Sequence, residues 1–404
     1  MIGDREVYLI PQALEGRSWR SRAPIIGAST GVVCLLLWAG WHVSLMGGSP
    51  SKAKEAQVVE SGTGVPLRIR PLVRPLFTKD SPEAVCTSRV LQEPQQGPLN
   101  VSYCCHLLRL YGLEAFRHPR FASGREVVSA ITDQRLSESF FGEPIFFQTR
   151  SGIRYRDPAI QKIVNGENHR DICIASFAEL GLPLSTPMTM ADGRVFSLAE
   201  LLRDSVENFD IKQRELAWTA VAYAFYLPPR RGWTNRYRES FTFDDVANAL
   251  MRTPLHQVSC GGTHLLYALT VLWRVDSSVP CLSEPVREAL TRHLRQQAAL
   301  AVKSQAKEGY WTLDWHATAT EESAVGRISP PDTLSTRLLA TGHLLEWLEM
   351  LPGELQPSAD VYRRAARWLG AALAEGFPAK HANDFCPCVH AICAVRRLID
   401  EVGE

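Results

Sequence analysis

From about Asn100 onward the apolar positions recur at helical spacing, and some runs are apolar on nearly every face. "ELAWTAVAYAFYL", residues 215–227, is one of them. A helix with no polar stripe belongs inside, and this one stops at Pro228 and Pro229, which cannot continue it. Two other runs announce their starts. "FSLAELLRDSVENF" sets Ser197 against Glu200, and "TFDDVANALM" sets Thr242 against Asp245, at the spacing that gives two orphan backbone donors their partners. Further helices are predicted over 263–275, 283–306, 333–351, 358–375 and 388–401, each closed by Gly, Pro or a charged break. Strand signal is confined to "MTMADGRVFS", with Asp192 and Gly193 as a hairpin-like turn. The pattern is that of an all-α fold.

Ahead of this body the pattern changes twice. "APIIGASTGVVCLLLWAGWHVSLM", residues 23–46, holds no Asp, Glu, Lys or Arg, and as a helix it would reach roughly 36 Å, enough to span a bilayer. Arg17, Arg20 and Arg22 precede it and only Lys52 and Lys54 follow closely. That bias puts a tail, 1–22, in the cytoplasm and the body, 99–404, outside it. Trp38, Trp41 and His42 fit an interfacial belt. A cleaved signal peptide is the rival reading, since "GGSPSKA" supplies small residues, but the apolar core exceeds the usual length of about 7 to 15 residues. Between 47 and 98, Pro50, Pro66, Pro71, Pro75, Pro82, Pro94 and Pro98 defeat helices and favour extended chain. This stretch is expected to be a stalk, with "VPLRIRPLVRPLF" lying against the body.

Composition narrows the function classes. With 45% hydrophobic and 22% charged residues the body is globular. The balance of 44 Lys and Arg against 43 Asp and Glu, with no basic block among aromatics, excludes a nucleic-acid footprint. Of ten cysteines, Cys34 lies in the predicted span; the nine beyond it cannot all pair within one chain. Disulfides are allowed in the inferred compartment. Cys104 with Cys105, and Cys386, Cys388 and Cys393, are the groups of chemical interest.

One recurrence stands out. "CHLLRLYGL" from Cys105, "THLLYALTVLW" from Thr263 and "GHLLEWLEML" from Gly342 each place His-Leu-Leu near the start of an apolar helix, and "VHAICAVRRL" from Val389 is a looser copy. Leu-Leu is common in helices, and a His near an N-terminus often only satisfies a backbone group. The sharper reading is that repeated inner helices aim their histidines at one shared cavity.

Gln305, Gly309 and Trp311, after a long helix from Ser283, resemble the QxxxGxW repeat of the terpenoid cyclase and prenyltransferase group, with a partial echo in "RRGW" at 230–233. In that group the Gln tethers helix ends and the Trp stacks beside it on the outer layer of an α/α toroid. The resemblance therefore implies a toroid, and scaffold rather than catalysis. A glycine C-cap followed by a packed Trp gives the same spacing. The group's chemistry is not matched: there is no DxDD, and Asp244-Asp245 runs into Val246, Ala247 and Asn248 instead of completing DDxxD. Cys260 with His264 is the nearest likeness to a prenyltransferase zinc set and needs a third ligand. A thioester like that of complement-type toroids needs a Gln three residues after its Cys, where Cys260 has Thr263.

Three segments are site-like. In "SCGGTHLL" (259–266) two glycines and a helix N-terminus flank Cys260 and His264, which predicts a thiol of lowered pKa, or else a plain glycine-rich cap. "NDFCPCVHA" (383–391) offers Cys386, Cys388 and His390 as soft ligands for zinc, with His264, His343 or His381 as the fourth. "TLDWHATATEE" (312–322) gathers Asp314, His316, Glu321 and Glu322, either for proton transfer on a carbohydrate or as a solvated loop. A basic loop of Arg230, Arg231 and Arg236 with Trp233 and Tyr237 suits an anionic glycan or lipid headgroup. Two functions follow as expectations. One is a single-pass membrane protein whose extracytoplasmic toroid binds a glycan, lipid or peptide without catalysis. The other is an enzyme, polysaccharide lyase- or hydrolase-like or prenyltransferase- or cyclase-like, with His264, His343, Asp314 and His316 as catalytic residues and Cys260, Cys386, Cys388 and His390 as metal ligands.

Overall fold

The computed structural model describes residues 64–92, 100–161, 165–227, 232–317, 331–374 and 385–400, all within the unit Lys54–Glu404. The predicted tail and membrane span, 1–22 and 23–46, lie outside the described residues, as do His381, Glu321, Glu322, Arg230 and Arg231. Among the described residues no helix is long and apolar enough to cross a membrane.

The fold is all-α with short ribbons. Its helices are α1 (Pro82–Gln92), α2 (Val101–Tyr111), α3 (Gly124–Thr132), α4 (Gln134–Phe141), α5 (Pro158–Gln161), α6 (Ile172–Glu179) and α7 (Leu198–Glu207), followed by α8 (Leu216–Tyr226), α9 (Phe243–Arg252), α10 (Thr263–Ser278), α11 (Glu284–Ser304), α12 (Leu334–Met350), α13 (Ala359–Ala374) and α14 (Phe385–Arg397). Two kinds of helix sort into two layers. Every residue of α8 is buried, and α6 is buried from Ile172 to Ala178. Such helices have no face for water and must be surrounded. By contrast α9 buries Phe243, Val246, Ala247 and Leu250, and α11 buries Leu290, Leu294, Ala298 and Ala301, each a single stripe at helical spacing.

The most buried helices form a closed circuit. α2 packs on α6, α6 on α8, α8 on α10, α10 on α12, α12 on α14, and α14 returns to α2. The one-sided helices lie around them: α3 on α2, α7 on α6, α9 and α11 on α10, α13 on α12 and α14, and α1 on α13 and α14. Both predicted capping boxes form: Ser197 N–H donates to Glu200 Oε2 at 2.7 Å, and Thr242 N–H to Asp245 Oδ2 at 2.8 Å.

Gln305 ties this outer layer together. Its side-chain amide donates to the carbonyls of Gly309 and Val361, both at 3.0 Å, and its oxygen accepts from Arg364. Gly309 has φ +110°, and a Cβ there would lie 2.3 Å from the Arg364 carbonyl. Trp311 is buried and its indole N–H donates to the Ala301 carbonyl at 2.7 Å. The stretch thus clamps the end of α11 to α13.

Two expectations need correction. Strand signal was read only at residues 188–197, where β6 (Pro187–Thr189) and β7 (Val195–Ser197) do form a hairpin around Gly193. Other two-stranded ribbons exist among the described residues, but their strands span two to four residues, too short to show a period. The second concerns the stalk. As expected, 65–77 lies extended against the body, with Leu67, Leu72 and Leu76 N–H groups donating to the carbonyls of Phe225, Glu349 and Leu398; the departure is α1, which follows with Pro82 at its first position. An extended strap of this kind supplies donors to the C-terminal carbonyls that helices leave orphaned.

Candidate metal centre

The N-terminal approaches of the inner helices are shaped by unusual backbone. Before α10, Cys260, Gly261 and Gly262 have φ of 56°, 63° and 79°. A Cβ on Gly261 would lie 2.7 Å from the Leu313 carbonyl, and one on Gly262 would lie 2.7 Å from the Leu255 side chain. The Trp315 indole N–H holds the turn by donating to the Gly261 carbonyl at 3.0 Å. Cys260 is thereby kept in a left-handed conformation that a residue with a Cβ adopts at a cost of about 1–3 kcal/mol. Glu215, just before α8, is held the same way at φ 59°, and its Oε1 accepts from Ser259 Oγ at 2.6 Å. Between α12 and α14 the device is Gly342, where a Cβ would lie 2.6 Å from the Ala391 backbone. Absence of that Cβ lets the next residue, His343, stack on His390 with ring centroids 3.5 Å apart.

These devices assemble a row of imidazoles. His169 to His264, His264 to His343, and His390 to His106 are each 5.1 Å between centroids. Oxygens line one edge of the row. His106 Nδ1 faces the Ser102 carbonyl at 2.6 Å, His390 Nδ1 faces Glu346 Oε2 at 2.6 Å, and His343 Nδ1 lies 3.8 Å from the same oxygen. His169 and His264 Nδ1 lie 3.4 and 3.6 Å from the two oxygens of Glu215. Carboxylates on the far nitrogen are the arrangement that orients metal-ligating histidines. Cys386 Sγ sits 3.2 Å from His106 Nε2.

The cavity between them measures about 20 Å³ and is lined by the four His-Leu-Leu-type histidines, His106, His264, His343 and His390, together with His169, Cys105, Cys260, Cys386, Arg109 and Trp218. That volume is room for about one water; a zinc ion, about 2.0–2.3 Å from its ligands, needs less. Burial lowers the His106 pKa to about 4 and lowers those of His264, His343 and His390 as well. Imidazoles of this kind are neutral at pH 7, with a lone pair to give. Burial works to raise Glu215, yet the flanking His169 and His264 outweigh it and hold the carboxyl well below its ordinary range. The prediction of a lowered Cys260 pKa is corrected: burial pushes that thiol up, and pushes Cys386 up to about 12. The helix N-terminus does not compensate for lost water, so the sulfurs become thiolates only when a cation displaces the proton.

Four buried atoms here have no hydrogen-bond partner: His169 Nδ1, Glu215 Oε2, His264 Nδ1 and His343 Nε2. The first three belong to the His169–Glu215–His264 cluster, whose Nδ1 atoms lie 3.4 and 3.6 Å from the carboxylate oxygens. Donors converge within 4.8 Å in four sets: His106, Cys386 and His390; Cys260, His264 and His343; His169, Glu215 and His264; and His343, Glu346 and His390.

Of the residues singled out from sequence, His264, His343, Cys260, Cys386 and His390 meet here. Cys388 does not line the cavity; it is buried two positions past Cys386, about 200° round the helix. Asp314 and His316 lie in the turn after α11 and belong to none of the donor sets; Trp315 between them points in, and the His316 ring packs on it at 5.7 Å. Arg236 stacks over Tyr237 at 4.8 Å, with Trp233 buried. Sequence reasoning missed His169, Glu215 and Glu346 as site residues. Glu346 was within reach, three residues after His343, and Glu215 heads the most apolar helix. No family model, curated protein or solved structure matches the chain.

Proposed function

We propose that the helical circuit is an α/α toroid and that its core is a transition-metal centre. The observation that carries this reading is the convergence of imidazole and thiol donors on one small cavity. The Gln305 clamp supports the resemblance to the cyclase and prenyltransferase group at the level of scaffold. In this reading residues 23–46 anchor the body outside the cytoplasm. Imidazole and thiolate donors suit zinc or copper, and a bound ion would supply Lewis acidity or electron transfer.

An organic ligand would need a different place. Under the strap lies an open pocket of about 470 Å³, lined by Arg68, Arg109, Glu179, Tyr267 and Arg397 among others, a size typical of small-molecule sites. Arg109 lines this pocket and the small cavity alike. That shared wall favours, as a second reading, a metal-dependent enzyme that takes a glycan or lipid fragment there. Elemental analysis of the full-length chain tests the first reading. Stoichiometric zinc or copper, diminished in His264→Ala and His390→Ala, is expected; a chain that holds neither ion after reconstitution would overturn it.

A further inference from the structure

The donor set is larger than one ion uses. Five imidazoles, two thiols and two carboxylates appear in the four sets, whereas a zinc or copper site takes roughly three to five ligands. Two of the sets share no member and have the same composition, one thiol with two imidazoles: Cys260 with His264 and His343, and Cys386 with His106 and His390. They abut where His343 stacks on His390. Both carboxylates are engaged elsewhere. Glu346 accepts from His390 Nδ1 and faces Arg397 at 3.8 Å, and Glu215 accepts from Ser259 while facing two Nδ1 atoms. His343 Nε2 is buried without a hydrogen-bond partner, and His106 Nε2 lies 3.2 Å from Cys386 Sγ, a member of its own set.

Resting on the metal reading above, we propose that the core holds two thiophilic ions, one in each Cys-His-His set, with Glu215 and Glu346 as positioning residues. On entry of each ion one S–H bond breaks, the sulfur binds the ion, and the proton leaves to solvent, so two protons are released per chain. Zinc(II) and copper(I) share the required softness, and the experiment separates them.

The full-length chain, stripped of metal, is loaded with zinc(II) and, under reductant without dioxygen, with copper(I). Two ions per chain are expected, and the arm that reaches two identifies the ion. Cys260→Ser and Cys386→Ser each keep one ion with unchanged helical circular dichroism, and the double variant keeps none. Glu215→Gln keeps both ions at roughly 10- to 100-fold weaker affinity. A cobalt(II) titration of the unaltered chain needs no variant: its thiolate charge-transfer band should saturate at two equivalents with equal steps. Saturation at one equivalent, or loss of both ions from either single Cys variant, overturns the two-ion proposal while leaving a metal site. No metal in any arm overturns the metal reading itself.

Discussion

Arg109 stands in the wall of two cavities that differ in every property that matters for function. In the open pocket Arg109 pairs with Glu179 at 3.2 Å and the Tyr267 hydroxyl donates to Glu179 at 2.6 Å, while Ser176 Oγ and Arg397 Nη1 have no hydrogen-bond partner. Across the wall, in a cavity of about 20 Å³, His343 Nε2 has no hydrogen-bond partner, while the Nδ1 atoms of His169 and His264 lie 3.4 and 3.6 Å from Glu215 oxygens. Buried polar atoms cost about 1–3 kcal/mol each when left unsatisfied. The two cavities differ in size and in donor chemistry: the small one gathers imidazoles and thiols, the large one guanidinium and carboxylate groups.

Four changes would break or sharpen that contrast. Arg109→Met strands Glu179 in the interior and should cost about 3–5 kcal/mol in urea unfolding, with Arg109→Met/Glu179→Gln recovering part of it. A double variant losing the plain sum would show that the pair is not a unit. Gly342→Ala forces α12 and α14 apart, and should cost about 1–3 kcal/mol and spread the His343–His390 contact, read as lost metal affinity. Unchanged affinity would show that the close approach is not needed by the centre. Acid is the third probe. His106, His264, His343 and His390 bind protons more readily unfolded than folded. Metal-free stability should therefore fall as pH drops from about 6.5 to about 4, by roughly 1.4 kcal/mol per pH unit for each proton. Glu167, which burial raises to about 8, and Glu349, also raised, act in the opposite sense and are outnumbered. His118 and His293 add to the slope from outside the cavity, so the decisive comparison is His343→Gln, which should make it shallower by one proton; an equal slope would remove His343 from the account. Least affected is Arg68→Ala, on the exposed strap of the open pocket. It should shift stability by no more than about 0.5 kcal/mol and leave metal content alone; reduced metal content would join the two cavities functionally.

Legibility followed the same division between regular helix and special backbone. Runs apolar on all faces marked the inner helices, and the predicted 283–306, 333–351 and 358–375 match α11, α12 and α13 to within two residues at each end. α14 begins at Phe385 and not at Cys388, because Pro387 falls in the first turn, where its missing N–H costs nothing. The prolines of 65–77 were read correctly as extended chain against the body; Pro82 was misread as a helix breaker, since it heads α1. At the site, the His-Leu-Leu recurrence was legible as a repeated motif on inner helices, although only His264 lies in the first turn of its helix and His343 sits well inside α12. His169 and Glu215 were not, since they lie on connecting segments, and the positive φ that aims Glu215 inward is set by tertiary packing. Cys388 was grouped with Cys386 by proximity in sequence, which on a helix separates two side chains.

The most direct test of the central claim is X-ray absorption at the metal edge of the reconstituted full-length chain. A metal centre built from these residues predicts a sulfur scatterer at about 2.3 Å and imidazole nitrogens at about 2.0–2.1 Å, for zinc. A shell of oxygen and nitrogen alone, with no sulfur and no imidazole signature, would place the ion on the surface and contradict it.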